Sequence, residues 1–386
     1  MRIAQVAPLY ESVPPQLYGG TERVVSYLTE ALVEMGHEVT LFASGDSVTR
    51  AKLVAVCPRS LWRDPDCRET LPHHVRLMNM VFDDASRFDV IHFHTDYLHF
   101  PLLRKYRSKS VTTIHGRLHT PDLKSLFDEY AEVPLVSISD NQRLPLPDAN
   151  WLATVYHGLP RNLHICQNRP GNYLAFLGRI SPEKGLDRAI EIARRSGIPL
   201  KVAAKIYPEE REYFAQVIEP LLEQSNSFVE FTGEVGGREK DEFLGGAAAL
   251  LFPIDWAEPF GLVMIESLAC GTPVIAWRNG SVPEIIENGV TGFVVEDMEQ
   301  AVRGVGRLSG LSRSICRRVF EERFDASRMA TDYLEVYRRL KDSQAGSTDQ
   351  VAHALGTPAR GNDAGRGHAR VRPSVSLPHW GTEQTV

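Results

Sequence analysis

The sequence predicts an α/β protein of two Rossmann-like halves, and three observations carry that expectation. Short β-rich runs alternate with stretches whose apolar residues recur at helical spacing, the pattern of a parallel sheet covered by helices. The alternation stops in the polar stretch 163–172, which contains Pro170-Gly171-Asn172, and then restarts. The length of 386 residues, at roughly 150 per domain, holds two such halves with a remainder.

Ile3–Ala7 is the first buried strand, too short for a signal-peptide core or a membrane span. After a loop rich in Pro and Gly, Thr21 is the expected N-cap of a helix. Val24, Val25, Leu28, Ala31, Leu32 and Met35 form its apolar face, and Gly36 ends it. Strands follow at Val39–Ala43, Asp89–Phe93, Ser110–Ile114 and Leu135–Ile138. In the second half they are expected at Tyr173–Leu177, Leu200–Ala204, Val229–Phe231, Ala249–Phe252, Pro273–Ala276 and Gly292–Val294. A helical pattern runs from Leu311 to Leu340. Beyond Lys341 small and polar residues replace bulky apolar ones, the composition of a disordered tail. The expected division is an N-terminal half at 1–165, a C-terminal half at 172–325, a closing helix at 326–341 and a tail at 342–386.

A formal charge of −6 without a dominant basic block argues against a nucleic-acid binder and for a small-molecule partner. The five cysteines are scattered and contain no C-x-x-C pair, so neither a disulfide framework nor a thiolate zinc site is indicated. A reducing, cytoplasmic setting is expected. Nothing in the chain reads as a transmembrane segment.

Neither half carries G-x-G-x-x-G after its first strand, nor a G-x-x-x-x-G-K-[ST] loop, which disfavours nicotinamide, flavin and ordinary NTPase chemistry. The first half instead has Gly19-Gly20-Thr21-Glu22 at a helix start, where missing side chains let an anion approach backbone N–H groups. In the second half Arg179 and Lys184 follow the first strand, and such a pair suits a diphosphate, the guanidinium as a fork and the ammonium as a point charge. Glu258 and Glu266 flank a Pro259–Gly261 turn into a helix. Their carboxylates suit sugar or ribose hydroxyls, and the N–H groups of Phe260, Gly261 and Leu262 suit phosphate oxygens.

Together with Asp89-Val90-Ile91-His92-Phe93-His94, Thr113-Ile114-His115-Gly116, Gly178-Arg179 with Glu183-Lys184-Gly185, Gly271-Thr272-Pro273-Val274 and Gly289-Val290-Thr291-Gly292, these pieces resemble the retaining GT-B-fold glycosyltransferases of family 4. They run in the family's order over nearly all of the chain to about Leu340. Within the family, the loop Val13–Gly20 is most similar to the avilamycin-pathway subgroup.

The resemblance implies two Rossmann-like domains facing each other across a cleft, the first binding the acceptor and the second a nucleotide-sugar donor. It implies a hexosyltransferase acting without a metal or other cofactor on a UDP- or GDP-sugar and a small-molecule, saccharide or lipid-linked acceptor. Arg179 and Lys184 would hold the diphosphate and stabilise the leaving group. Glu258 would contact the donor sugar, Glu266 the ribose, and the Phe260–Leu262 backbone the sugar and phosphate. His115 would lie on the donor sugar and Gly19-Gly20 near the phosphates, while the base would sit by Gly233, Glu234 and Val235, read by backbone groups. Retention would proceed on the front face, the leaving phosphate helping to deprotonate the acceptor.

The competing reading is a metal-dependent hydrolase using His92, His94 and His115. Alternate residues of a strand point to opposite faces, so His92 and His94 converge only if the strand has already bent. The basic run Leu102–Lys109 offers a peripheral membrane contact, a reading less favoured than an ordinary solvated helix end.

Overall fold

In the computed structural model, residues 1–16, 19–169, 171–225 and 228–355 are described. Leu17 and Tyr18 of the Val13–Gly20 loop, Pro170 of the expected linker, and positions 356–386 of the expected tail lie outside them.

The first sheet has seven strands: β1 (Arg2–Val6), β2 (Glu38–Ala43), β3 (Lys52–Ala55), β4 (Val90–Phe93), β5 (Ser110–Thr113), β6 (Leu135–Ser137) and β7 (Trp151–Thr154), in the order β3-β2-β1-β4-β5-β6-β7. The second has six: β8 (Leu174–Leu177), β9 (Leu200–Ala203), β10 (Val229–Gly233), β11 (Ala249–Phe252), β12 (Val274–Trp277) and β13 (Gly292–Val295), in the order β10-β9-β8-β11-β12-β13. Every pairing is parallel. The central strands β4 and β11 are buried throughout, which explains their unbroken apolar or polar-but-satisfied sequences. In each sheet the strand order reverses at one place, β1/β4 in the first and β8/β11 in the second. Open parallel sheets bind ligands outside the strand ends at such a reversal.

Three expectations need correction. The first helix, Gly20–Glu34, is capped by Gly19 rather than Thr21. Gly19 sits at φ 140, and a Cβ there would lie 2.8 Å from the Pro15 side chain, so Thr could not take that place. Second, the C-terminal helical pattern is broken into Arg313–Arg323 and Ala326–Leu355. Leu159 causes the break: its N–H reaches the Phe324 carbonyl and its carbonyl accepts from Ala326, both at 2.9 Å. Third, the last helix passes the boundary at 341 and runs to Leu355, because residues 342–355 contain one glycine and no proline to stop it.

The linker is tacked down on both sides. Gln167 N–H bonds the Cys270 carbonyl at 3.0 Å, and the Arg313 guanidinium holds the carbonyls of Gln167, Gly245 and Ala247. The closing helix reaches back to the first sheet, where the Tyr337 hydroxyl meets Gln5 and His92 and the Tyr333 hydroxyl meets Thr113. Glu284 also ties the halves, accepting from the Asp140 and Asn141 N–H groups at 2.7 and 2.8 Å. Met1–Gln344 accordingly form one compact unit. Among the described residues no helix is long and apolar enough to cross a membrane, and all five cysteines are free thiols.

Candidate active site

A cleft of about 500 Å³ opens where the two reversal points meet. From the first half it is lined by Gly19, Gly20, Thr21 and Glu22 after β1, His94 to Asp96 after β4, and His115 and Gly116 after β5. The second half contributes Gly178, Arg179 and Lys184 after β8, and Glu258 to Val263 after β11. Two helix starts, at Gly20 and Leu262, therefore border one space, and the first-turn N–H groups of a helix have no intrahelical acceptor.

Lys184 ends a short 3-10 turn, Pro182–Lys184, and Gly185 then takes φ 73. A Cβ on Gly185 would lie 2.2 Å from the Pro253 carbonyl oxygen, so glycine is what lets this turn press against the loop after β11. The Asp255 N–H closes the contact by donating to the Glu183 carbonyl at 2.8 Å. Lys184 Nζ consequently lies 2.5 Å from Glu258 Oε2 and 4.6 Å from the centre of the Trp256 ring. Glu258 is braced from behind, its carbonyl accepting from the Ser281 N–H at 3.0 Å. Arg179 pairs with Glu210 at 2.6 Å and lies over the Tyr207 ring.

Glu266 and the Gly233–Val235 segment stand apart, since neither lines this cleft. Glu266 is buried and bonded to Lys240 at 3.0 Å. Burial alone would raise its carboxyl, but the Lys240 ammonium, helped by His164 and Arg23, holds it below the usual range. Gly233 ends β10 at φ 80, and its carbonyl accepts from the Ala204 N–H.

On the opposite wall a chain of neutral hydrogen bonds runs inward from the cleft. His115 Nε2 meets His94 Nδ1 at 2.9 Å, and His94 Nε2 meets the Gln5 amide oxygen at 2.8 Å. Gln5 Nε2 donates to the Tyr337 hydroxyl, which also meets His92 Nδ1 at 2.7 Å. His92 Nε2 reaches Thr113 Oγ1, itself bonded to Tyr333. Burial keeps these rings uncharged: His92 and His94 are held well below the usual imidazole range, and His115 is lowered to about 3. His115 stacks on His157, and its Nδ1 is buried without a partner.

His92 and His94 do converge, with ring centres 4.0 Å apart, because β4 ends at Phe93 and His94 already belongs to the bend. All four of their ring nitrogens are spent on protein hydrogen bonds, so they do not present the open ligand set that a hydrolytic metal requires. Among the described residues the cluster with metal-ligand spacing is His164, Asp241 and Cys270, outside the cleft.

Residues 18–164 match the family described as Glycosyltransferase Family 4, and residues 167–310 match the glycosyl transferases of group 1. Only residues 165–166 separate the two matches. The chain is a GT-B glycosyltransferase of family 4. It is similar to AviGT4, a glycosyltransferase of avilamycin A biosynthesis, at 27% identity and a TM-score of 0.68, over 88% of this chain and 98% of that one. Spore coat protein SA of Bacillus subtilis is 24% identical over 393 residues, 88% of this chain and all of that protein. Anabaena Alr3699/HepE, solved with UDP-glucose, shares the fold with a TM-score of 0.67 at 16% identity, over 88% of this chain and all of its own.

Glycosyl transfer from a nucleotide sugar is thus the chemistry of the family to which this transferase belongs. Sequence reasoning missed the partners of its site residues. Glu210 for Arg179 and Lys240 for Glu266 had no local signal. His157, Tyr10, Trp62 and His74 line the transferase's cleft without belonging to any of the motifs. A signal existed for Trp256, which lies inside the Glu258 motif and packs against both Lys184 and Arg117.

Proposed function

We propose that this transferase is a retaining, metal-independent hexosyltransferase that uses a UDP- or GDP-sugar. The observation that supports it most is the meeting, in one cleft, of Lys184, Arg179, Glu258 and two helix N-termini. The C-terminal half is the donor half in this reading and the N-terminal half receives the acceptor. A nucleotide-sugar donor agrees with Anabaena Alr3699/HepE, which shares the fold and is solved with UDP-glucose.

A donor diphosphate competes with Glu258 for Lys184. Once the ammonium turns to the phosphate, the Glu258 carboxylate is released to accept hydrogen bonds from donor-sugar hydroxyls. Lys184, Arg179 and the Gly261–Leu262 N–H groups then stabilise the charge that grows on the leaving phosphate, which takes over the task a metal performs elsewhere. Glu266 holds the ribose, the Gly233–Val235 backbone the base, and Gly19-Gly20 approach the phosphates. The C1–O bond to the phosphate breaks while a bond from C1 to the acceptor oxygen forms on the same face. The acceptor proton passes to the departing phosphate oxygen, and Glu258 is no nucleophile. His115, neutral and with Nδ1 unspent, faces the donor sugar as a hydrogen-bond partner. Five free thiols support a cytoplasmic setting.

The reading is tested by thermal shift with UDP, GDP and their sugar conjugates, because a ligand stabilises in proportion to its affinity and concentration. One nucleotide should raise the melting temperature, and transfer with that donor should survive exhaustive chelation and keep the donor's anomeric configuration by NMR. Silence toward every nucleotide would end the reading, loss of turnover in EDTA would end metal independence, and an inverted anomer would end retention.

A further inference from the structure

One part of the cleft is left without a task by the donor chemistry. Trp62 is 62% exposed, yet it lines the cleft together with Tyr10 and His74. The Tyr10 ring lies between the other two, with centres 5.1 Å from Trp62 and 4.8 Å from His74. This wall is rigid. Leu61 N–H bonds the Leu9 carbonyl at 2.9 Å and Trp62 N–H the Tyr10 carbonyl at 3.1 Å, so the two segments are zipped side by side. Arg63 adds bonds to Glu11 and Gln16, both at 2.9 Å. His74 is itself pinned, Nε2 accepting from the Leu9 N–H and Nδ1 donating to the Thr70 carbonyl. An indole held out on so stiff a support is an aromatic anchor rather than a loose surface side chain.

Two carboxyl groups line the same space from the first half. Asp96 is solvent-exposed and held at φ 49, and Glu22 is 5% exposed beside Gly19. Aromatic faces take the C–H face of a pyranose, and carboxylates take its hydroxyls. A phosphorylated or carboxylated acceptor would meet repulsion from Asp96 and, above about pH 7 where the buried carboxyl ionises, from Glu22 as well.

We propose that Tyr10, Trp62, Glu22 and Asp96 form the acceptor subsite and that the acceptor is an uncharged sugar ring, a pyranoside. The inference rests on the reading of the opposite half as the donor site. Stacking on Trp62 fixes the plane of the acceptor ring, and the carboxyl groups select the hydroxyl turned toward the donor.

The test uses the full chain with saturated UDP and a panel of uncharged methyl hexopyranosides, read by saturation-transfer NMR. At least one glycoside should receive saturation on its ring protons. Trp62→Ala should weaken that binding tenfold or more, Trp62→Phe should restore part of it, and the thermal shift by UDP should be unchanged in both. Equal glycoside binding by wild type and Trp62→Ala, or no glycoside binding by a wild type that responds to UDP, overturns the proposal and leaves the donor reading standing. So does loss of binding to phosphatidylcholine–phosphatidylglycerol vesicles in Trp62→Ala with glycosides unaffected, which would mark the wall as a lipid contact. A wild type that binds glycosides through Trp62 but ignores UDP and GDP instead overturns the donor reading.

Discussion

The two walls of the cleft solve opposite electrostatic problems. The wall built on β8 and β11 carries its positive charge in ion pairs, Lys184 with Glu258 and Arg179 with Glu210, with Lys240 and Glu266 a further pair behind. The wall built on β1, β4 and β5 carries histidines that burial keeps neutral, joined into one hydrogen-bond chain from His115 to the tyrosines of the closing helix. A pair of opposite charges can exchange one partner for a diphosphate at low cost, since the cation is never left alone. A chain of neutral dipoles has no such freedom, and its value lies in holding His115 and His94 in one orientation.

Acid should break this contrast most completely. His92, His94, His99, His115 and His157 all have folded-state values below the ordinary 6.5, so the stability they contribute is present above 6.5 and lost as pH falls toward their folded values. For His99 and His115, whose folded values lie at about 3, the cost by pH 5 is roughly 2 kcal/mol each, and His92, His94 and His157 act in the same direction. Urea midpoints should collapse between pH 6.5 and 5, whereas a flat profile would mean that these rings are not held neutral.

On the charged wall, Lys184→Ala or Glu258→Ala should lower transfer by about 10²–10³-fold, the scale of removing one transition-state contact. Both side chains stand on loops, so the far-UV spectrum should be preserved. Near-normal turnover in either variant would remove the pair from the mechanism.

Glu22 is the exception on the neutral wall. Burial, reinforced by Glu11 and Asp96, raises its carboxyl from 4.5 to about 7. The folded value is the higher one, so stability is lost as pH rises from 4.5 through about 7. Glu22→Gln should abolish that loss and gain up to about 3 kcal/mol on wild type between pH 4.5 and 8; parallel stability curves would show that Glu22 ionises freely.

Tyr337→Phe removes the hydroxyl shared by Gln5 and His92 and should cost about 1–3 kcal/mol in chemical denaturation, the price of leaving buried polar groups unpaired. Fitted to the same data, an unchanged midpoint would show that the chain does not rely on the closing helix. Smallest of all, Arg104→Ala should shift stability by less than about 0.5 kcal/mol, since its pairs with Glu129 and Glu132 are exposed. A larger change would give the Leu102–Lys109 run a structural weight that its exposure does not suggest.

The strands that sequence reading found and those it missed differ in position. All six strands of the second sheet were legible, as were β1, β2, β4, β5 and β6: most are buried on both faces and read as near-continuous apolar runs, while the exposed edge strand β10 was found from its β-prone Val229 and Phe231 beside a Thr–Gly turn. β3 and β7 were missed. Both are edge strands without a fully buried residue, and their sequences Lys52–Ala55 and Trp151–Thr154 carry no such run. Within the site, Lys184, Glu258 and Gly261 were legible since a turn residue or a helix start stands next to each in the chain. Trp62 was not, because its meaning depends on Tyr10, which pairs with it across a gap that only folding closes.

By itself the sequence determined two parallel sheets, the loops at their strand ends and the family 4 motifs on those loops, since each follows from periodicity, glycine placement or a short contiguous pattern. Only the tertiary structure decided which groups face one another. Tyr337 lies 245 residues from His92 and Glu258 lies 74 from Lys184, and no local preference encodes such pairings. They arise because the closing helix and the two sheets bury their apolar faces together, and the polar groups carried into that core must then find partners within it.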